Sequence, residues 1–96
     1  MKICFFGLGS IGSRHLRNLR HIEKLDNYNF EIHAFRSSRK KLSSEVAKLI
    51  DKEIYKENEL EFYDIIFVTN PTYKHFETIK KNISRTKHMF IEKPIF

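Results

Sequence analysis

Lys2-Ile3-Cys4-Phe5-Phe6-Gly7-Leu8-Gly9-Ser10-Ile11-Gly12-Ser13-Arg14-His15 begins as a β-prone apolar run and passes through a segment that holds all 3 glycines of the chain. It then continues with apolar residues at a helical period. The stretch reads as strand, tight turn, helix. In such a junction the first glycine permits the turn, the second lets a diphosphate approach bare backbone amides, and the third lets the helix pack on the strand. The other common phosphate cradle ends in Gly-Lys-Ser or Gly-Lys-Thr, and Gly12-Ser13-Arg14 does not match it. A glycine-rich turn without a ligand is the competing interpretation.

Outward from this junction, the first helix is expected from Ser10 to about Ile22, with Ile11, Leu16, Leu19 and Ile22 on its buried side. Turn formers Asp26, Asn27 and Asn29 lead into a second β-prone run, Phe30 to Phe35. Ser37 and Ser38 offer caps for a helix from about Arg39 to Asp51, along which Leu42, Val46, Leu49 and Ile50 recur. Ile54-Tyr55 forms a short third strand, and Glu57 to Glu61 allows at most a helical turn. Asp64 to Thr69 carries Ile65-Ile66-Phe67-Val68, as a strand covered on both faces requires. Pro71-Thr72 starts a helix reaching about Ser84, with Phe76, Ile79, Lys80 and Ile83 along one side, and His88 to Glu92 is a last strand. Alternation of this kind predicts an α/β fold, a doubly wound parallel sheet with helices on both faces.

The 96 residues, with 18 Lys+Arg against 12 Asp+Glu and a net charge of +6, suit one domain over 1–96. Their 9 Phe and 4 Tyr can fill a modest core, which argues against intrinsic disorder. The run Ile65 to Val68 is far short of the roughly 20 residues a membrane-spanning helix needs. Gly7 ends the amino-terminal apolar run too early for a signal peptide. The single Cys4 excludes an intrachain disulfide, and there is no Cys/His cluster at zinc-ligand spacing. No metal is expected, and a reducing, cytoplasmic setting is.

The residue that closes the second strand selects the dinucleotide. Counting about 20 residues from the glycines lands near Glu31, but five residues at about 3.3 Å each put it some 16 Å from the sheet edge where the ribose would lie. The residue at that edge is Arg36, followed by Ser37, Ser38, Arg39, Lys40 and Lys41, and no acid stands there. A guanidinium grips a 2′-phosphate bidentately, and three cations in a first helical turn oppose the helix dipole unless an anion binds them. The expected cofactor is therefore NADP(H), with NAD(H) possible, and Arg36, Ser37 and Arg39 are its candidate ligands.

Two later loops open on the same sheet edge: Thr69-Asn70-Pro71-Thr72-Tyr73-Lys74-His75 and Glu92-Lys93-Pro94. Together with Gly-Leu-Gly-Ser-Ile-Gly-Ser-Arg-His they closely resemble the amino-terminal Rossmann domain of the Gfo/Idh/MocA oxidoreductases over essentially the whole chain. The resemblance implies hydride transfer between a nicotinamide and a secondary alcohol or ketone of a sugar, cyclitol or sugar nucleotide. It assigns Gly7, Gly9, Ser10, Ile11 and Gly12 to the cofactor loop. By likeness Thr69, Asn70, Pro71 and His75 border the nicotinamide half, and Glu92, Lys93 and Pro94 the reaction site. Lys93 is the catalytic candidate, because a lysine with a lowered pKa can hold and relay a carbinol proton. His75 alternatively bonds the loop before it, and Arg14 and His15 either touch the diphosphate or cover the first helix.

Family members continue past the Glu-Lys-Pro loop into a substrate domain, so the chain is expected to be the cofactor-binding half, truncated after its fifth strand and not competent alone. An exposed apolar edge would then favour a homo-oligomer. A nucleotide-sensing module without chemistry is the alternative. A nucleic-acid-binding domain is a weaker one, since most Phe residues fall in strands rather than in an exposed stacking row.

Overall fold

The structure, a computed structural model, describes residues 1–36, 41–70 and 74–92. Its strands are β1 (Lys2–Phe6), β2 (Glu31–Phe35), β3 (Lys52–Ile54), β4 (Tyr63–Val68) and β5 (Thr86–Ile91). Its helices are α1 (Ser10–Asp26), α2 (Ser44–Ala47) and α3 (His75–Asn82), with short 3-10 turns at Glu57–Glu59 and Ile83–Arg85. All strand pairs are parallel, in the order β3-β2-β1-β4-β5.

The apolar run of β1 explains its central place. Successive side chains of a strand face opposite ways, so a strand covered on both faces must be apolar at every position. Ile3 and Phe5 enter one core with Leu16, Ile32, Val46 and Phe67, while Cys4 and Phe6 enter the other with Tyr63, Ile66 and Val68. Phe5 stacks on Phe67 with ring centroids 4.7 Å apart. Leu19 of α1 and Leu42 and Leu49 beside α2 pack against the first core. α3 returns from β4 to β5 in the opposite direction along the sheet and lies over the other face, where it shares a cavity with Phe6 and Phe35. This is the expected Rossmann-like arrangement.

The helices depart from expectation in extent and rotation. α1 runs beyond Ile22 to Asp26 and is closed by Asn27 in the left-handed region (φ 58°), whose N–H donates to Glu23 O. Ile11 and Ile22 are exposed rather than buried; Leu16 is the fully enclosed residue of that face. α2 is only four residues long, and its cap is Ser43, whose Oγ accepts the Val46 N–H at 3.2 Å. The expected caps Ser37 and Ser38 lie outside the described residues. The segment after α2 makes turn bonds, Leu49 N–H to Val46 O at 3.0 Å and Ile50 N–H to Ala47 O at 3.3 Å, and is then tethered: Arg20 donates to Leu49 O, and the Asp51 carboxylate accepts the Ile32 N–H at 2.7 Å. That tether sets β3 at Lys52–Ile54, ahead of the expected Ile54-Tyr55.

α3 ends before the expected Ser84 and is rotated so that Phe76 faces solvent at 77% exposure, with Ile83 of the following turn 63% exposed, while His75, Thr78 and Asn82 are buried. Hydrogen bonds cause this: His75 and Thr78 bond Asn70, and Asn82 Nδ2 donates to Thr78 O at 2.8 Å. Among the described residues no helix is long and apolar enough to cross a membrane.

Candidate dinucleotide site

The glycine loop lies where β1 hands over to α1, at the carboxyl edge between β1 and β4, the point where the strand order reverses. Gly7 has φ +106°, and a Cβ there would lie 2.6 Å from the Asn70 backbone. A Cβ on Gly12 would lie 2.7 Å from Gly7 O and 2.8 Å from Thr69 Oγ1, so the third glycine lets α1 meet the loop and the end of β4. Gly9 differs, because nothing lies within 4 Å of its Cβ position. It is the N-cap of α1 without a side-chain cap, and the first turn carries no acid. The amides of Gly9, Ser10 and Ile11 therefore keep the positive end of a 17-residue helix available to an anion.

Thr69 fastens the neighbouring strand to this loop, its Oγ1 donating to Gly7 O at 2.7 Å and its N–H to Phe6 O at 3.0 Å. Asn70 follows, with Nδ2 donating to Thr78 Oγ1 at 2.9 Å. Its Oδ1 is buried and has no hydrogen-bond partner. Such an orphaned acceptor costs roughly 1–3 kcal/mol unless a ligand donor meets it. His75 is buried, and its Nε2 donates to Asn70 O at 2.8 Å, so the ring holds the loop.

Asn70 also lines a cavity of about 500 Å³, together with Phe6, Gly7, Phe35, Arg36 and Thr78. The size and apolar floor suit one end of a dinucleotide, and the open glycine and orphaned Oδ1 beside it fit one as well. At the rim one ammonium serves two carboxylates. Lys81 bonds Glu77 at 2.8 Å and Glu57 at 3.2 Å, which holds its ammonium above the ordinary lysine range and the Glu77 carboxyl below its own.

Arg36 stands at the end of β2, as expected, with its N–H on Ile54 O at 2.8 Å. The expectation that no acid stands at this edge needs correction. Register between β2 and β3 pairs Ala34 with Glu53, and the Glu53 carboxylate meets the Arg36 guanidinium at 2.9 Å. Glu31 is opposite Lys2 at the start of its strand, as the count along β2 required, and is bonded to His33 Nε2 at 2.7 Å.

Glu92 closes the ladder beyond β5, its N–H donating to Val68 O at 3.0 Å. Its carboxylate lies 3.5 Å from His15 Nε2, and the His15 ring packs against both Phe67 and Phe90. His15 thus covers α1 and reaches the Glu92 turn. Ser37, Arg39, Pro71 and Lys93 lie outside the described residues.

Sequence spacing also missed a group at the opposite sheet edge. Glu31, His33 and Glu61 bring ligand-type atoms within 4.8 Å of one another. Lys2 Nζ is bonded to Glu61, and Tyr63 OH to His33 Nδ1 at 2.8 Å, so a protein cation already serves that acid.

The Gfo/Idh/MocA family model, described as an oxidoreductase family with an NAD-binding Rossmann fold, matches residues 1–96. No curated protein matches the chain.

Proposed function

Because the chain belongs to the Gfo/Idh/MocA oxidoreductases, an NAD-binding Rossmann family, we propose that it is the cofactor-binding part of an enzyme that interconverts a secondary alcohol and a ketone on a sugar, cyclitol or sugar nucleotide. The observation that carries the dinucleotide reading is Gly9, open to solvent at an uncapped helix start beside the cavity. The nicotinamide supplies the hydride donor or acceptor. The chain's residues bind and orient it: the amides of Gly9 to Ile11 face the diphosphate, and Asn70 Oδ1 accepts a donor from the nucleotide. Gly7, Gly12 and Thr69 hold the loop in shape. Arg36 lines the cavity at the end of β2, which supports NADP(H) as the preferred cofactor with NAD(H) accepted.

Lys93 is the residue after Glu92 in sequence. We assign it the carbinol proton, by family likeness and position in the chain. A second copy of the chain is a further proposed partner, since edge strand β5 exposes Phe90 and Ile91.

Titration of the folded protein with NADPH and NADH, followed by nicotinamide fluorescence, should show saturable binding of both, with NADPH the tighter. Folded protein that binds neither would remove the proposal. Reduction of NADP+ with a panel of sugars, cyclitols and sugar nucleotides, read by absorbance, tests the substrate class.

A further inference from the structure

The Arg36 guanidinium is the natural counter-ion for a 2′-phosphate, yet it is already engaged. Its Nη1 lies 2.9 Å from Glu53 Oε1, and Tyr55 OH donates to the same oxygen at 3.3 Å. The pair is asymmetric: the Arg36 side chain is 13% exposed and lines the cavity, whereas Glu53, on the adjacent strand, is 39% exposed. We propose that Glu53, on the strand next to β2, is a specificity-determining residue that competes with the 2′-phosphate of NADP(H) for Arg36 and so keeps NAD(H) acceptable. The inference rests on the dinucleotide reading above and adds to it a residue that the β2 end alone does not reveal.

The physical case is electrostatic. A phosphate monoester carries about −1.5 to −2 charges at neutral pH. Bound to the far side of the same guanidinium, it would lie roughly 5–6 Å from the Glu53 carboxylate, and repulsion at that range in a solvent-exposed site costs on the order of tenfold in affinity. A ribose 2′-hydroxyl carries no charge and pays no such cost. Glu53 therefore acts on one cofactor and spares the other. The carboxylates that do line the cavity, Glu57 and Glu77, are both bonded to Lys81, whereas Glu53 is bonded to Arg36.

The test measures binding of NADPH, NADH, adenosine 2′,5′-bisphosphate and ADP to the wild-type protein and to Glu53→Gln and Glu53→Ala, with circular dichroism confirming that each is folded. Both variants should bind NADPH and the bisphosphate about tenfold more tightly, while NADH and ADP stay within about twofold. In an Arg36→Met background, Glu53→Gln should no longer change NADPH affinity, because the two residues act through one contact. An NADPH-to-NADH ratio unchanged or lowered by both variants overturns the role of Glu53 while leaving the dinucleotide site in place. Wild-type protein that is folded but binds none of the four ligands removes the underlying reading, and this inference with it.

Discussion

Gly7 and Gly9 lie two positions apart in one loop, yet a methyl group has opposite consequences at each. At Gly7 the φ of +106° and a backbone neighbour at 2.6 Å leave no accommodation, so Gly7→Ala should destabilise the fold by at least about 2–3 kcal/mol. At Gly9 the backbone is extended (φ −72°, ψ −165°) and the space is empty, so Gly9→Ala should cost within about 1 kcal/mol. The same methyl would occupy the approach of a diphosphate, and dinucleotide affinity should fall. Thermal melts and fluorescence titration of both variants check this; a Gly9→Ala protein with unchanged affinity would place the diphosphate elsewhere. The glycine pattern was legible because strand, turn and helix signals are adjacent in the chain. Glu53 was not, because it reaches Arg36 only through the β2–β3 register.

Among the elements, α1 is tethered to the start of β2 chiefly by Arg20, beside the Glu23 carboxylate that accepts the Phe30 N–H at 2.6 Å. Arg20 donates to Leu49 O at 2.9 and 3.0 Å, to Phe30 O at 2.9 Å and to Asp51 Oδ2 at 2.9 Å. Arg20→Met keeps the apolar stem and removes these donors, so unfolding in urea should show a loss of roughly 1–3 kcal/mol. Burial raises the Asp51 pKa, but the Ile32 N–H and Arg20 outweigh it, and the net shift is downward. A lowered folded pKa means that the stabilisation is complete above the ordinary carboxylate range and is lost as pH falls through the folded value. Asp51→Asn should therefore flatten the dependence of stability on pH below about pH 4. A wild-type profile equally flat there would discount the tether. Helix α3 shows the limit of periodicity: Phe76 and Ile83 mark an apolar face, yet the bonds of His75 and Thr78 to Asn70 turn that face to solvent.

For the whole molecule, burial at the sheet centre governs reactivity and acid response. Burial pushes the Cys4 thiol up to about 12, against a smaller opposing effect of the Tyr63 hydrogen bond. A thiol reagent at neutral pH should label Cys4 only as fast as the sheet opens, and labelling at the rate of an exposed thiol would contradict a central β1. The carboxyls of Asp64 and Glu61 are also held low, by the Lys2 N–H and the Lys2 ammonium respectively. Both tie β1 to the segment that begins β4, so acidification loosens the same two strands that hold the glycine loop.

The amino-acid sequence by itself determined that five strands occur and roughly where, with β3 and β5 each beginning two residues earlier than expected, together with their parallel alternation with helices, the βα phosphate loop and the family, because each depends on neighbours within a few positions or on an ordered set of such motifs. It also placed Arg36 at the end of its strand and Glu31 at the start. Only the tertiary structure decided that α2 is one short turn and that α3 buries polar side chains. It likewise set Glu53 against Arg36 and left the Asn70 oxygen without a donor. These outcomes turn on hydrogen bonds and ion pairs between residues distant in sequence, whose geometry exists once the sheet has set its register.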